Sequence, residues 1–223
     1  MLCFLLLLII SADLLAQEKQ LSFANDVMPV FFRAGCNQGT CHGSSRGKDG
    51  FALSLFGFDK QGDYFRLTEE IVGRRINMAV PEESLILLKA TGAVAHTGGQ
   101  RFKKGSSYYK TLLTWIEQGA KNDKDQVTVP VDITIDPPQI QFEGIEKTTP
   151  TKVTARYSDG SLRDVTKLSL FFSNNNNTAS ISNDGLVSSH AKGDTYVFAR
   201  FDRFTVGSEV IVLPQDAEYT WSG

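Results

Sequence analysis

The spacing of apolar residues changes character partway along the chain, and that change limits the folds open to it. Up to about residue 120 apolar side chains recur at helical intervals; from about residue 131 they alternate or cluster in short runs. In the stretch 22–34, SFANDVMPVFFRA, Phe23, Val27, Val30, Phe31 and Ala34 fall on one helical face. Asn25 or Asp26 can cap this helix, Pro29 is tolerated in its first turn, and Gly35 can end it. In SYYKTLLTWIEQ, 107–118, Tyr108, Leu112, Trp115 and Ile116 share a face before Gly119 stops the helix. Shorter helices are expected at DYFRLTEEI and PEESLILLKA, followed by the loop TGAVAHTGGQRF. Beyond KNDKDQ, the segments VDITI, TKVTARYS, TASIS, TYVFARF and SEVIVLP read as strands, with turns at SDGS and NDGL. Short strands at that interval predict a β-sandwich. The expected architecture is α + β with two domains: a mainly helical domain over 17–125, then an all-β sandwich over 131–214. Residues 215–223 are a tail or the start of a downstream region.

The first sixteen residues, MLCFLLLLIISADLLA, are apolar but short for a membrane span and interrupted by Ser11 and Asp13. They read as a secretory signal cut near Ala16, although no positive residue precedes them and Leu14 is large for its place. An uncleaved anchor is the alternative. The mature chain is expected to have no transmembrane helix and to be exported, to the periplasm or the cell surface. Its net charge of −2 gives no reason to expect nucleic acid as a partner. A chain of 223 residues can build a core without covalent staples, so its cysteines point to chemistry.

Loss of the signal removes Cys3 and leaves Cys36 and Cys41, both in AGCNQGTCHG. Two thiols followed at once by a histidine are what covalent haem attachment needs: the thiols saturate the two vinyl groups, and His42 sits under the iron. The usual spacing has two residues between the cysteines; here Asn37, Gln38, Gly39 and Thr40 make four. Two other uses stay open. A disulfide suits an exported protein but leaves His42 unexplained. A zinc site would recruit Cys36, Cys41, His42 and His96, with the adjacent pair awkward on one tetrahedral ion.

Residues 22–120 resemble the cytochrome c-like modules of planctomycete type, through DVMPVFFRAGCNQGTCHG, GFALSLFGFD, GRRIN, SLILLKATGAVAHTGG and LLTWIEQGA. Residues 131–213 resemble a bacterial Ig-like domain of group 2, through VTARYSDGSLRDVT and ASISNDGLVSS. The resemblance implies one covalent haem c on Cys36 and Cys41, with His42 as proximal ligand, and tolerates the four-residue gap.

The sixth ligand follows from position. His96, in a glycine-flanked loop before the last helix, is the leading candidate, and Met78 is the alternative; Met28 reads as core. His190 reads as a solvated histidine. Arg74, Arg75 and Arg101 are candidate partners for haem propionates or parts of a solvated basic face. Trp115 and Tyr108 read as packing. The function expected is electron transfer to an unidentified redox partner protein, with the strand domain as spacer or docking module and no catalytic set of its own. Two alternatives remain: a surface protein that contacts glycan or matrix through the strand domain, and a haem sensor or enzyme with an open sixth site.

Overall fold

The computed structural model describes residues 20–123 and 127–215. The apolar leader with Cys3, the expected domain boundary at 125 and the tail from 216 lie outside the described residues.

Ser22 begins the first helical segment. Its hydroxyl accepts the Asn25 N–H at 3.0 Å, and its own N–H donates to the Asp26 carboxylate at 2.9 Å, a reciprocal cap. The cap therefore lies earlier than the expected Asn25 or Asp26, because a π-helical turn, Phe23–Val27, precedes α1 (Met28–Arg33). Pro29, which has no N–H to offer, fits the first turn of α1. Gly35 at φ 75° turns the chain out of the helix. Asp59 caps α2 (Lys60–Thr68) by accepting the Gly62 N–H at 2.9 Å. Gly92 ends α3 (Leu85–Thr91), and Ser106 caps α4 (Ser107–Glu117). These helices close over Phe23, Leu67, Leu87, Leu112, Trp115 and Ile116, all buried. The Phe23 and Trp115 ring centres are 5.4 Å apart.

The strands are β1 (Pro130–Asp136), β2 (Gln139–Glu143), β3 (Thr148–Pro150), β4 (Lys152–Tyr157) and β5 (Leu162–Asp164). They continue as β6 (Leu170–Ser173), β7 (Ala179–Ile181), β8 (Leu186–Ser189), β9 (Gly193–Phe201) and β10 (Phe204–Leu213). They form three sheets, ordered β1-β4-β5, β2-β10-β9-β6 and β3-β8-β7. β2 runs parallel to β10, with Ile140 opposite Val210, while β9 and β10 form a long antiparallel hairpin. Alternate residues of β9, Thr195, Val197, Ala199 and Phe201, point into the interior.

This architecture corrects the expected one, a mainly helical domain followed by a separate β-sandwich. Among the described residues the four α-helices are short, of 6 to 11 residues, and the ten strands are divided among three sheets. Nor do the two halves stand apart. Arg163 on β5 donates to the Asn25 carbonyl at 2.8 Å and pairs with the Asp26 carboxylate at 2.8 Å. Asn25 donates to the Thr128 carbonyl at 2.8 Å, Arg33 to the Asn183 carbonyl at 2.8 Å, and Lys60 pairs with Asp202 at 2.7 Å. Leu168 packs on both the helical core and the first strand core. The physical reason lies in Asp26, which is buried: a carboxylate there needs a cation, and β5 supplies it.

Candidate functional site

The cysteine turn starts where α1 stops. Ala34 and Cys36 donate back to the Val30 and Phe31 carbonyls at 2.8 and 2.9 Å, so the helix end fixes the entry to the turn. The Cys36 carbonyl then accepts the His42 N–H at 3.0 Å, and the Gln38 carbonyl accepts those of Cys41 and Gly43 at 2.9 and 3.0 Å. The extra residues between the cysteines are thereby folded into a closed backbone loop. Gly43 is required there: a Cβ would lie 2.0 Å from the Asn37 carbonyl oxygen. The His42 carbonyl accepts the Leu53 N–H at 2.7 Å and the Asn37 carbonyl that of Phe56 at 3.1 Å, which pins the following segment against the turn.

The turn faces a cavity of about 330 Å³, within the range of small-molecule and cofactor sites. Val30, Phe31, Phe51, Ile86, Phe102 and Leu112 give it apolar walls, and Cys36, His42 and His96 all line it. Cys41 lies half-buried on the turn between Cys36 and His42, and neither thiol is joined in a disulfide. Burial pushes the Cys36 thiol up to about 12; Arg101 opposes this and Cys41 adds to it.

His42 and His96, far apart in sequence, lie with their rings 5° from parallel and their centres 6.2 Å apart. The Phe51 carbonyl sits 3.0 Å from Nδ1 of His42, and the Gly99 carbonyl 3.0 Å from Nδ1 of His96. A carbonyl only accepts, so in each neutral ring Nδ1 carries the proton and Nε2 keeps its lone pair. Burial holds the His42 pKa below its ordinary value and so favours the neutral ring, against the opposing pull of the Phe51 carbonyl. The Phe51 ring, centred 4.7 Å from that of His42, packs beside it. Gly98 makes room for the second ring, since a Cβ there would lie 2.8 Å from Cε1 of His96.

The remaining sequence candidates are placed as follows. Met78 is exposed and does not line the cavity, and Met28 is core. Arg74 lines the cavity from its exposed side. Arg75 is buried, donates to the Arg66 and Gly50 carbonyls at 2.7 and 3.2 Å, and lies 4.5 Å from the centre of Phe51. Arg101 donates to the Ala34 carbonyl at 2.6 Å and the Gly98 carbonyl at 3.2 Å. Trp115 donates to the Lys121 carbonyl at 2.9 Å, Tyr108 donates to the Lys167 carbonyl, and Nε2 of His190 lies 2.7 Å from the Ser180 hydroxyl. The role of Phe51 escapes sequence inspection, because it acts through its backbone carbonyl.

Among the described residues, no three or more His, Cys, Asp or Glu side chains gather to hold a metal ion, which removes the four-ligand zinc site. Two facing imidazoles supply only two ligands. Their ring planes are parallel with centres 6.2 Å apart, and an imidazole bonds a metal through the Nε2 lone pair, which lies in the plane of its ring. Two imidazoles and two thiols beside an apolar cavity are the donor types that a ring-bound metal would take.

No family model matches the chain, and no curated protein matches it. Among solved structures, the crystal structure of domains 4 and 5 of the S-layer protein SbsC is similar over 39% of this chain and 54% of that one, at 21% identity and a TM-score of 0.35. Domains 4–9 of SbsC are similar over 42% of this chain and 16% of that one, at 20% identity and a TM-score of 0.35. The chain thus spans about half or less of the length of these structures, and likeness at this level carries no conclusion about fold or location. These results correct the family resemblance. Neither the cytochrome c-like family nor the group 2 Ig-like family is matched, the chain is strand-rich, and no metal-holding group of protein side chains is present among the described residues. Labels taken from those families therefore have no support here. Among the described residues no helix is long and apolar enough to cross a membrane.

Proposed function

We propose that the chain carries one haem, attached through Cys36 and Cys41 and held between His42 and His96, and that it acts as an exported electron carrier. This proposal makes no claim of family membership. The observation that carries it is the pair of near-parallel imidazoles, 6.2 Å apart, each with Nδ1 on a backbone carbonyl. A neutral imidazole oriented through Nδ1 is a metal ligand at Nε2. When bound, the haem supplies an iron that exchanges one electron. The chain's own groups do the rest. Cys36 and Cys41 would hold the group covalently, each S–H adding across one vinyl double bond with sulfur on one carbon and hydrogen on its neighbour. His42 and His96 would be the protein ligands to the iron, and a second imidazole there would favour electron transfer over ligand chemistry. The apolar walls keep water from the ring faces. The strand half holds α1, and with it the cysteine turn, from behind. The apolar leader supports export to the periplasm or the cell surface, and the partner would be a second redox protein.

A second reading, a haem sensor with an exchangeable sixth site, draws on the placement of His96 in a largely exposed loop rather than on a helix. Full-length protein matured in a host that attaches haem covalently decides the matter. The expected results are one haem retained in the intact mass after acid–acetone extraction, a pyridine haemochrome of the thioether type, and no carbon monoxide binding on reduction. Complete loss of haem on extraction overturns covalent attachment, and rapid carbon monoxide binding moves the function to the sensor.

A further inference from the structure

The two ligand-bearing segments, 36–42 and 96–99, are joined by one side chain that belongs to neither. Arg101 donates through Nε to the Ala34 carbonyl at 2.6 Å, at the end of α1, and through Nη1 to the Gly98 carbonyl at 3.2 Å, in the His96 loop. Its third nitrogen, Nη2, lies 2.7 Å from where a Cβ of Gly35 would stand, so the guanidinium fills the space left by that glycine. The backbone of Arg101 is fixed as well, its N–H donating to the Ala90 carbonyl on α3 at 2.8 Å. From these contacts we infer that Arg101 is the positioning residue of the site: it sets His96 at its distance from His42 by clamping the His96 loop to the cysteine turn. This deepens the proposed haem function and depends on it for its ligand-binding consequences, but not for its structural one.

The loop has little else to hold it. Gly99 donates to the His96 carbonyl at 2.9 Å and Gly98 lies under the imidazole, so the loop is closed on itself. Lys89 reaches the Ala95 carbonyl at 2.6 Å and Gln100 the Thr91 carbonyl at 2.9 Å, but both tie the loop to α3 and not to the cysteine turn. A planar fork that donates in two directions can bridge two carbonyls; an ammonium at the end of a flexible stem can keep one bond but not the geometry of both.

The test compares full-length wild type with Arg101→Ala and Arg101→Lys. Amide hydrogen exchange over residues 92–100 needs no cofactor; it is expected to speed up by about tenfold in Arg101→Ala, the equivalent of one lost hydrogen bond, and by less in Arg101→Lys. In haem-loaded protein, Arg101→Ala is expected to keep its covalent haem but to bind carbon monoxide on reduction and to gain a high-spin ferric component, with Arg101→Lys in between. A merely structural arginine would lower the melting temperature without changing the axial ligand. Unchanged exchange over 92–100 together with an unchanged ferric spectrum overturns the inference. If wild type proves to carry no haem, the proposed function fails, and hydrogen exchange alone still decides the role of Arg101. If Arg101→Ala does not fold, Arg101→Lys carries the same comparison.

Discussion

Asp26, in the turn before α1, and Arg163, on β5, form an ion pair at 2.8 Å although 137 residues separate them in sequence. The Arg163 guanidinium also accounts for the Asn25 carbonyl. Arg163→Ala leaves a buried carboxylate without its cation and is expected to cost about 2 kcal/mol, a value discounted for the partial exposure of Arg163. Urea unfolding measures this. Asp26→Ala combined with Arg163→Ala is expected to lose less than the sum of the single variants; strict additivity would show that the pair does not couple the halves.

In haem-loaded protein, His96→Ala is expected to convert the ferric spectrum to a high-spin or water-ligated form and to let the reduced protein bind carbon monoxide. Met78→Ala is expected to change neither, because Met78 is 54% exposed and lies off the cavity wall. Absorption spectra of the two variants check both outcomes; a change confined to Met78→Ala would reassign the ligand.

Cys36, pushed up to about 12 from an ordinary 9.0, keeps its proton in the folded state where the unfolded chain gives it up. The folded state therefore binds more protons between those two values, and this group's contribution to stability, complete below pH 9, declines as pH rises towards 12. In haem-free protein, alkylation of Cys36, followed by peptide mass, is expected to quicken about tenfold per pH unit through pH 10 without levelling. A plateau near pH 9 would show that the thiol is not shielded.

Gly43→Ala is expected to destabilise the protein by about 3 kcal/mol or to displace the cysteine turn, since its Cβ would meet a backbone oxygen at 2.0 Å. Thermal unfolding and haem content are expected to fall together. A variant of wild-type stability would mean that the loop relaxes more freely than its hydrogen bonds imply.

Local periodicity made much of the secondary structure legible and little of its assembly. Leu112, Trp115 and Ile116 announce the buried face of α4, although Tyr109 rather than Tyr108 completes it. Tyr108 packs at the edge of that core, with its hydroxyl donating to the Lys167 carbonyl on the strand half. Alternation marks β9 and β10, but nothing in VDITI or QIQFE says that β2 will run parallel to β10 while β1 joins β4 in another sheet. Pairing depends on contacts remote in sequence, so the division into three sheets was not visible. Asp26 and Arg163 look like ordinary surface charges until the fold buries one of them. At the site, Cys36, Cys41, His42 and His96 could be named from residue type and spacing. The contributions of Phe51 and Gly99, made through backbone carbonyls, could not, because any residue carries a carbonyl. In the sequence Arg101 stands out by its charge, whereas the structure uses its shape.

The bonds that hold the helical half to the strand half have a temporal consequence. They span 138 residues between Asn25 and Arg163, 142 between Lys60 and Asp202, and 150 between Arg33 and Asn183. Contacts so distant in sequence cost more chain entropy to close than local turns and helices do. The turn carrying Cys36 and Cys41 can thus exist as a local loop before its surroundings are complete. In such a loop the Cys36 thiol is expected to meet water, where it ionises more readily than in the folded protein. Local closure first would give assembly an order, with chemistry at the thiol before docking of the distant strands. A pulse-labelling experiment during refolding would read that order as loss of Cys36 reactivity in step with protection of β5.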